Sequence, residues 1–586
     1  MKGHINYDPT FKLKISKRSF VDGLSKRFHY AEKMVKFNDP NALQWQYLNT
    51  HHETVDINVY PVYVQNITGR GVVNRVMDDA LDINHPDLEE NYEARVSLNL
   101  CEKDLRNNPR GTNGEMTLDN LHGTMCAGII SSVANNSICT HGIAYNSRVG
   151  AVRMLCEEGT VSFAVLVRAV THAYRQIDTS SSSWGPTDDG KTTSGPTKRL
   201  RDAYDTLAFK GRGGKGVINV FAGGNGAEFK DNCGADGYIN YPWAISVAAL
   251  GKDGTKASYS EACAAIRIAV PVGRDLKTTS GNSACSSNFT GTSAGAPLLI
   301  GSLALILETR PDLTLRDIMH ILTISGRLPR VDVWNQFSFN AAGLLTSTSM
   351  GSGLLDIALG HKLAKNWKNV GKMCEVSFKS DQKLPLADVF WTEDSTIART
   401  KYMHYLNGKS SKLPIKGKKT LVTFRVKESN CTIEKLENVI ISLKINHGNP
   451  DNLEISLISP SGTDTVLLYA RGDEFHKNSP INYEWTATGF YGENPNGRWT
   501  VIVRDRKPLI NTKTDKVRGR IEAARLTIQG TALNDSAYER NKQLYDEVLT
   551  KAGKERRQSG KGHRLTESEA QQVFREQVKR YFDAFE

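Results

Sequence analysis

Nowhere in the 586 residues does an apolar run approach the roughly 20 positions that cross a bilayer, so no membrane span is expected. The opening residues, MKGHINYDPT, hold no apolar core, so a secretory leader is absent or not included in this chain. No two cysteines have Cys-x-x-Cys spacing, which argues against structural zinc. The formal charge of +12 is no nucleic-acid signature: residues 1–36 hold nine Lys/Arg against three Asp/Glu, half the excess, without interleaved aromatics. Nucleic acid is therefore not expected as a partner. Nine cysteines are few for a disulfide scaffold and many for a chance cytosolic set. With sequons at Asn66, Asn288, Asn430 and Asn534 they fit an oxidising secretory compartment and a glycoprotein.

What is present divides the chain into segments. Residues 1–36 form a basic leader with Ser-Lys-Arg ending at Arg18 and at Arg27. Residues 37–366 alternate short β-branched runs with helical stretches, the pattern of an α/β domain with a parallel sheet flanked by helices. Residues 367–532 read as an all-β sandwich, with strand-like TLVTFRV, NVIISLKI, LEISLIS and RWTVIVRD between turns. Residues 533–586 turn polar and helical. Within them 551–564 read as a flexible basic linker, and Phe574, Val578, Tyr581 and Phe585 line one face of an amphipathic helix.

Four short motifs carry the chemistry: Asp78 in VMDDALD, His122 in LHGTMCAG, Asn225 in FAGGNGA and Ser293 in FTGTSAGAP. Acyl transfer needs a hydroxyl nucleophile, a base for its proton, a carboxylate to orient the base, and a donor for the oxyanion. The order Asp, His, Ser is that of subtilisin-type hydrolases. Each motif alone is commonplace, Ser293 for instance reading as an ordinary helix cap. The ordered set of four is not.

Over residues 37–532 the chain resembles the kexin/furin-type proprotein convertases, in SSWGPTDDGKT, GNGAEFKDNCGADGY and SYSEAC, and then in LEISLISPSGTDTVLL and GENPNGRWTVIVRD of a β-rich P domain. The resemblance implies a calcium-dependent serine endoprotease that cuts secretory precursors after Lys-Arg or Arg-Arg. It also implies a zymogen whose own propeptide can inhibit it, acting in Golgi, secretory vesicles or outside the cell. Asp188 and Asp236 would line S1, and Asp79 and Asp119 would line S2. Tyr238 is retained beside them. Where furin-like members place acids for a further upstream Arg, this chain has Leu166 and Ser194, so recognition is expected to stop at the basic pair. Four acids beside three catalytic loops support a cationic substrate on their own chemistry.

The same resemblance places one calcium site on Asp39, Asp87 and Asn136 with carbonyls near Val133 and Ile138. A second falls on Asp188, Asp231 and Glu261, and residues 103–118 are too poor in acids for a third. It pairs Cys139 with Cys285, Cys233 with Cys263, and Cys374 with Cys431, leaves Cys126 free, and says nothing of Cys101 and Cys156. Ala80 stands where glycine is usual, Met125 replaces an arginine and Ala235 a cysteine. Arg27 marks a cleavage point for a propeptide remnant, and the P domain is expected to cover an apolar side of the first domain. The Arg471-Gly472-Asp473 tripeptide reads as chance. Two rival readings remain: a catalytically silent binding protein on the same scaffold, and a broad subtilisin.

Overall fold

A computed structural model describes residues 35–48, 55–102, 108–110, 121–156, 161–380, 384–385, 419–427, 433–447, 450–471, 480–506, 519–532 and 536–584. In the first domain the strands are β1 (Val73–Asp78), β2 (Leu98–Asn99), β3 (Arg148–Arg153), β4 (Thr179–Ser182), β5 (Ile218–Ala222), β6 (Ala244–Leu250) and β7 (Ile266–Pro271). They form a parallel sheet in the order β2-β3-β1-β4-β5-β6-β7. Every residue of β5 and β6 is buried, as expected of strands covered on both faces.

Helices α1 (His122–Ser131), α2 (Phe163–Thr171), α3 (Lys198–Lys210), α4 (Thr292–Thr309), α5 (Leu315–Ser325) and α6 (Ile357–Asn366) flank the sheet. Among the described residues α4 alone is long and apolar enough to cross a membrane, yet it is buried against β4 to β7 and α1. It is a core helix, apolar on all sides because protein surrounds it. A hairpin, β8 (Leu276–Ser280) with β9 (Ala284–Phe289), leads into it, and a small ribbon of β10 (Ser338–Phe339) and β11 (Leu345–Thr346) lies further on.

The second domain is the expected sandwich. One antiparallel sheet joins β12 (Met373–Ser380), β13 (Leu384–Pro385), β15 (Ile433–His447), β18 (Pro480–Ala487) and β20 (Gly519–Ala532). The other joins β14 (Lys419–Val426), β16 (Leu453–Ile458), β17 (Asp464–Leu468) and β19 (Gly497–Asp505). Trp485, Trp499 and Phe490 fill the space between them. The contact with the first domain combines apolar packing with polar bonds, and Tyr491 joins the core of the first domain. Ala235 and Ala264 join the sandwich core, while Trp485 Nε1 donates to Gly234 O at 2.9 Å and Thr486 Oγ1 to Asn240 O at 2.6 Å.

Residues 551–564 are not the flexible linker their composition suggested. They form α8 (Lys551–Ser559), between α7 (Ser536–Val548) and α9 (Glu567–Asp583), and a strand β21 (His563–Arg564) that pairs with β10. Thr550 caps α8 by accepting from Gly553 N, and Gly560, at φ 62°, ends it. The basic charge is matched by ion pairs of Arg556 with Glu569 and of Arg557 with Asp546. On α9, Val578 and Tyr581 are buried and Phe574 packs against the core of the first domain; Phe585 lies outside the described residues.

Candidate active site

Asp78 is the last residue of β1 and His122 the first of α1, so strand end and helix start bring the two together. His122 Nδ1 lies 2.8 Å from Asp78 Oδ1, which fixes the tautomer that leaves Nε2 open. Burial alone would lower the imidazole pKa, but the Asp78 carboxylate outweighs it and holds His122 well above its ordinary value. Phe289 packs edge-on against the ring at 5.4 Å.

Ser293 is the second residue of α4, whose N-cap is Gly291, so the serine is not the cap itself. Pro297 cannot donate to the Ser293 carbonyl four residues earlier. That carbonyl instead accepts from Ser183 Oγ at 2.9 Å, with Cys126 Sγ at 3.7 Å. Cys126 Sγ also lies 4.0 Å from both His122 Nδ1 and Asp78 Oδ2, so one buried sulfur touches all three elements. Burial raises its pKa, which keeps it an inert thiol. Ser183 went unnoticed in the sequence, although a proline four residues after the serine was a signal that some donor must replace a helix bond.

Asn225 Oδ1 accepts from Thr292 N at 2.8 Å and Thr292 Oγ1 at 3.0 Å, which leaves Nδ2 as the donor toward the open site. Gly291 has φ 85°, a conformation that favours glycine, where the loop turns past the Asn225 amide into α4.

The acids gather behind these groups. Asp188 Oδ2 accepts from Asn225 N at 2.7 Å, and Glu261 Oε1 accepts from Gly226 N at 2.8 Å. Asp231 accepts from Gly190 N and Asn232 N. Desolvation raises the pKa of all three, and repulsion from Asp188 and Asp231 helps push Glu261 up to about 9. Asp236 accepts from Tyr238 N and Ile239 N and is pushed to about 7, chiefly by desolvation. Tyr238 is buried against Trp184.

Asp79 is turned inward. Its carboxylate accepts from His122 N, Gly123 N and Ala80 N at 3.0, 2.7 and 2.6 Å, holding the start of α1. Burial and the neighbouring Asp78 push it to about 6. Ala80 does not need positive φ, so alanine is accommodated there. Asp119 lies outside the described residues.

At the other acidic cluster Asp39 accepts from the backbone of Asn135, Asn136 and Ser137, and Asn136 Nδ2 donates to Asp87 Oδ1 at 2.8 Å. Val133 N donates to Asp87 O and Ile138 N to Asn136 Oδ1. Asp87 Oδ2 is buried without a well-formed hydrogen bond, and burial pushes Asp87 to about 7. An oxygen donor set with an orphaned carboxylate oxygen suits a hard divalent cation. At Asp188, Asp231 and Glu261 the case rests on charge: a cation there would offset the repulsion that Asp188 and Asp231 exert on Glu261.

Cys139–Cys285 and Cys233–Cys263 are bonded, and so is the pair the sequence left open, Cys101–Cys156. Cys374 is disulfide-bonded, with Cys431 outside the described residues.

The sequence profile described as Subtilase family matches residues 69–337, and the Proprotein convertase P-domain profile matches 436–519. Furin of Rattus norvegicus is 34% identical over 501 residues, 84% of this chain and 58% of furin. Proprotein convertase subtilisin/kexin type 5 of Rattus norvegicus is 32% identical over 513 residues, 85% of this chain and 26% of that protein. A solved serine protease of Aeromonas sobria shares the fold at a TM-score of 0.70 and 21% identity, over 85% of this chain and 96% of that one. Fold and site thus define a subtilisin-like serine peptidase class. With its P domain, the chain belongs to the furin/kexin-type proprotein convertases. It spans little more than half the length of the furin it matches.

Proposed function

We propose that this chain is a calcium-dependent serine endoprotease that cuts precursor polypeptides after Lys-Arg or Arg-Arg pairs. The observation that carries the reading is the His122–Asp78 pair at 2.8 Å together with a set of desolvated carboxylates whose pKa values are raised by burial and by one another. Ser293 attacks the scissile carbonyl, His122 takes and returns the proton through Nε2, and Asp78 stabilises the imidazolium. The Asn225 amide and the Ser293 backbone N–H receive the oxyanion. Asp188 and Asp236 take the P1 cation, and Asp79 with Asp119 the P2 cation. Asp79 is the weakest of these assignments chemically, because three backbone donors already share its carboxylate.

Calcium, when bound, neutralises clustered carboxylates and orders their loops. Asp39, Asp87 and Asn136 with carbonyls near Val133 and Ile138 would hold one ion, and Asp188, Asp231 and Glu261 would hold another. The disulfides of the first domain fit a secretory setting, inside or outside the cell. A propeptide cut after Arg27 would lie outside the described residues. It is the proposed intramolecular inhibitor.

Hydrolysis of Lys-Arg and Ala-Arg fluorogenic peptides, with and without EDTA and beside Ser293→Ala, tests the reading. Rapid, EDTA-sensitive cleavage of Lys-Arg alone is expected; equal cleavage of both peptides, or of neither, refutes it. Adding Arg at P4 is expected to change kcat/KM little, because Leu166, buried in α2, and Ser194, in a backbone bridge with Asp236, carry no acid for it.

A further inference from the structure

The arginine of the Arg471-Gly472-Asp473 tripeptide is buried against loops of the first domain. The Arg471 side chain is 5% exposed. Its Nη2 lies 2.9 Å from Asp451 Oδ1 and donates to Thr193 Oγ1 at 2.7 Å, while Nη1 donates to Thr192 O at 2.7 Å. Nη1 also lies 3.7 Å from Asp231 Oδ1. Asp451 belongs to the second domain, so a carboxylate of the sandwich holds the guanidinium from behind while its fork grips a loop of the first domain.

That loop joins the two S1 acids. Upstream, Asp189 accepts from Lys191 N and Thr192 N at 2.8 and 2.7 Å, folding the chain back directly after Asp188. Downstream, Ser194 is bridged to Asp236, with Gly237 N donating to Ser194 O at 2.7 Å. Four residues, Gly190 to Thr193, lie between Asp189 and Ser194, and Arg471 holds the last two of them. Neighbouring contacts run the same way: Asn232 Nδ2 donates to Tyr469 O at 3.1 Å, and a Cβ on Gly234 would fall 2.3 Å from Leu467 O.

We propose that Arg471 is a positioning residue of the P domain that sets the spacing of Asp188 and Asp236, and with them the Asp188, Asp231 and Glu261 cation site. The sandwich thereby tunes substrate capture as well as stability. The inference rests on the proposed dibasic, calcium-dependent activity. It does not require Arg471 to touch substrate.

The test uses the full chain with Arg471→Ala, Arg471→Lys and Thr193→Val, and Arg504→Ala as a control elsewhere in the sandwich. Arg504 pairs with Glu454. Steady-state kinetics on Lys-Arg peptides are run in parallel with thermal unfolding over a calcium series, the latter in a Ser293→Ala background that needs no activity. A misplaced loop is expected to raise KM about 10- to 100-fold in Arg471→Ala with kcat little changed. Loss of one hydroxyl acceptor in Thr193→Val, which leaves no charge exposed, is expected to raise it about threefold. Arg471→Lys, which keeps the charge without the fork, is expected to fall between wild type and alanine. The calcium concentration for half-maximal stabilisation is expected to rise in the same order, with Arg504→Ala unchanged in both measures. If folded Arg471→Ala and Thr193→Val keep either the wild-type KM or the wild-type calcium midpoint, the assignment is overturned. Failure of the wild type itself to cut Lys-Arg peptides or respond to calcium would instead overturn the activity on which it rests.

Discussion

Tyr581, near the end of α9, is expected to be a stability determinant of a domain that ends more than 200 residues earlier. Its hydroxyl donates to Asp56 Oδ1 at 2.6 Å, and both side chains are essentially without solvent exposure. Arg327 lies 4.7 Å from the ring, 3.4 Å from Asp356 Oδ2 and 4.0 Å from Asp56 Oδ1. The tail therefore closes a buried network of two carboxylates and one guanidinium. Tyr581→Phe removes only the bond to a charged acceptor, worth about 1.5–3 kcal/mol, and keeps the ring over Arg327. At about 2 °C per kcal/mol for a domain this large, Tm should fall by roughly 3–6 °C. Tyr581→Ala also opens a cavity and strips the cover from Arg327, adding about 3–5 kcal/mol. Scanning calorimetry of the two variants in a Ser293→Ala background, at neutral pH and saturating calcium, measures both. A phenylalanine variant within about 1 °C of wild type, or an alanine variant no worse than phenylalanine, would refute the view that the tail is part of the fold.

Replacing Asn225 by Ala should lower kcat about 10²–10³-fold with little change in KM, because the amide acts on charge that exists only in the transition state. In Asp78→Asn the loss of kcat should approach about 10⁴-fold. The base must be neutral to act, so activity is lost as pH falls through the raised His122 pKa. Removing the Asp78 charge should move that acid limb of kcat/KM to lower pH, and a limb that stayed in place would show Asp78 is not its cause. Breaking Cys101–Cys156 with paired alanines should cost about 2–4 kcal/mol by denaturant unfolding at constant calcium.

The placement of Asp78 at a strand end and of His122 and Ser293 at helix starts was legible in the sequence, because apolar strand and helix runs begin or stop at these residues. The alternation of buried strands with helices was legible too, since covered parallel strands such as INVFA and AISVAAL have no polar face. Composition misled at residues 551–564. There lysine and arginine suggested solvent, whereas the folded chain supplies Glu569 and Asp546 as partners and Gly343 as a close seat for Gly553. Acid side chains near the catalytic motifs could be counted, but not their directions. Only the tertiary structure turned Asp79 inward to hold α1 and set the Asp188 carboxylate on the Asn225 backbone N–H. It alone placed Arg471 near Asp231, more than 230 residues away along the chain. A motif records which groups a short stretch of backbone carries. Which charges meet across domains depends on long-range packing that no local pattern encodes.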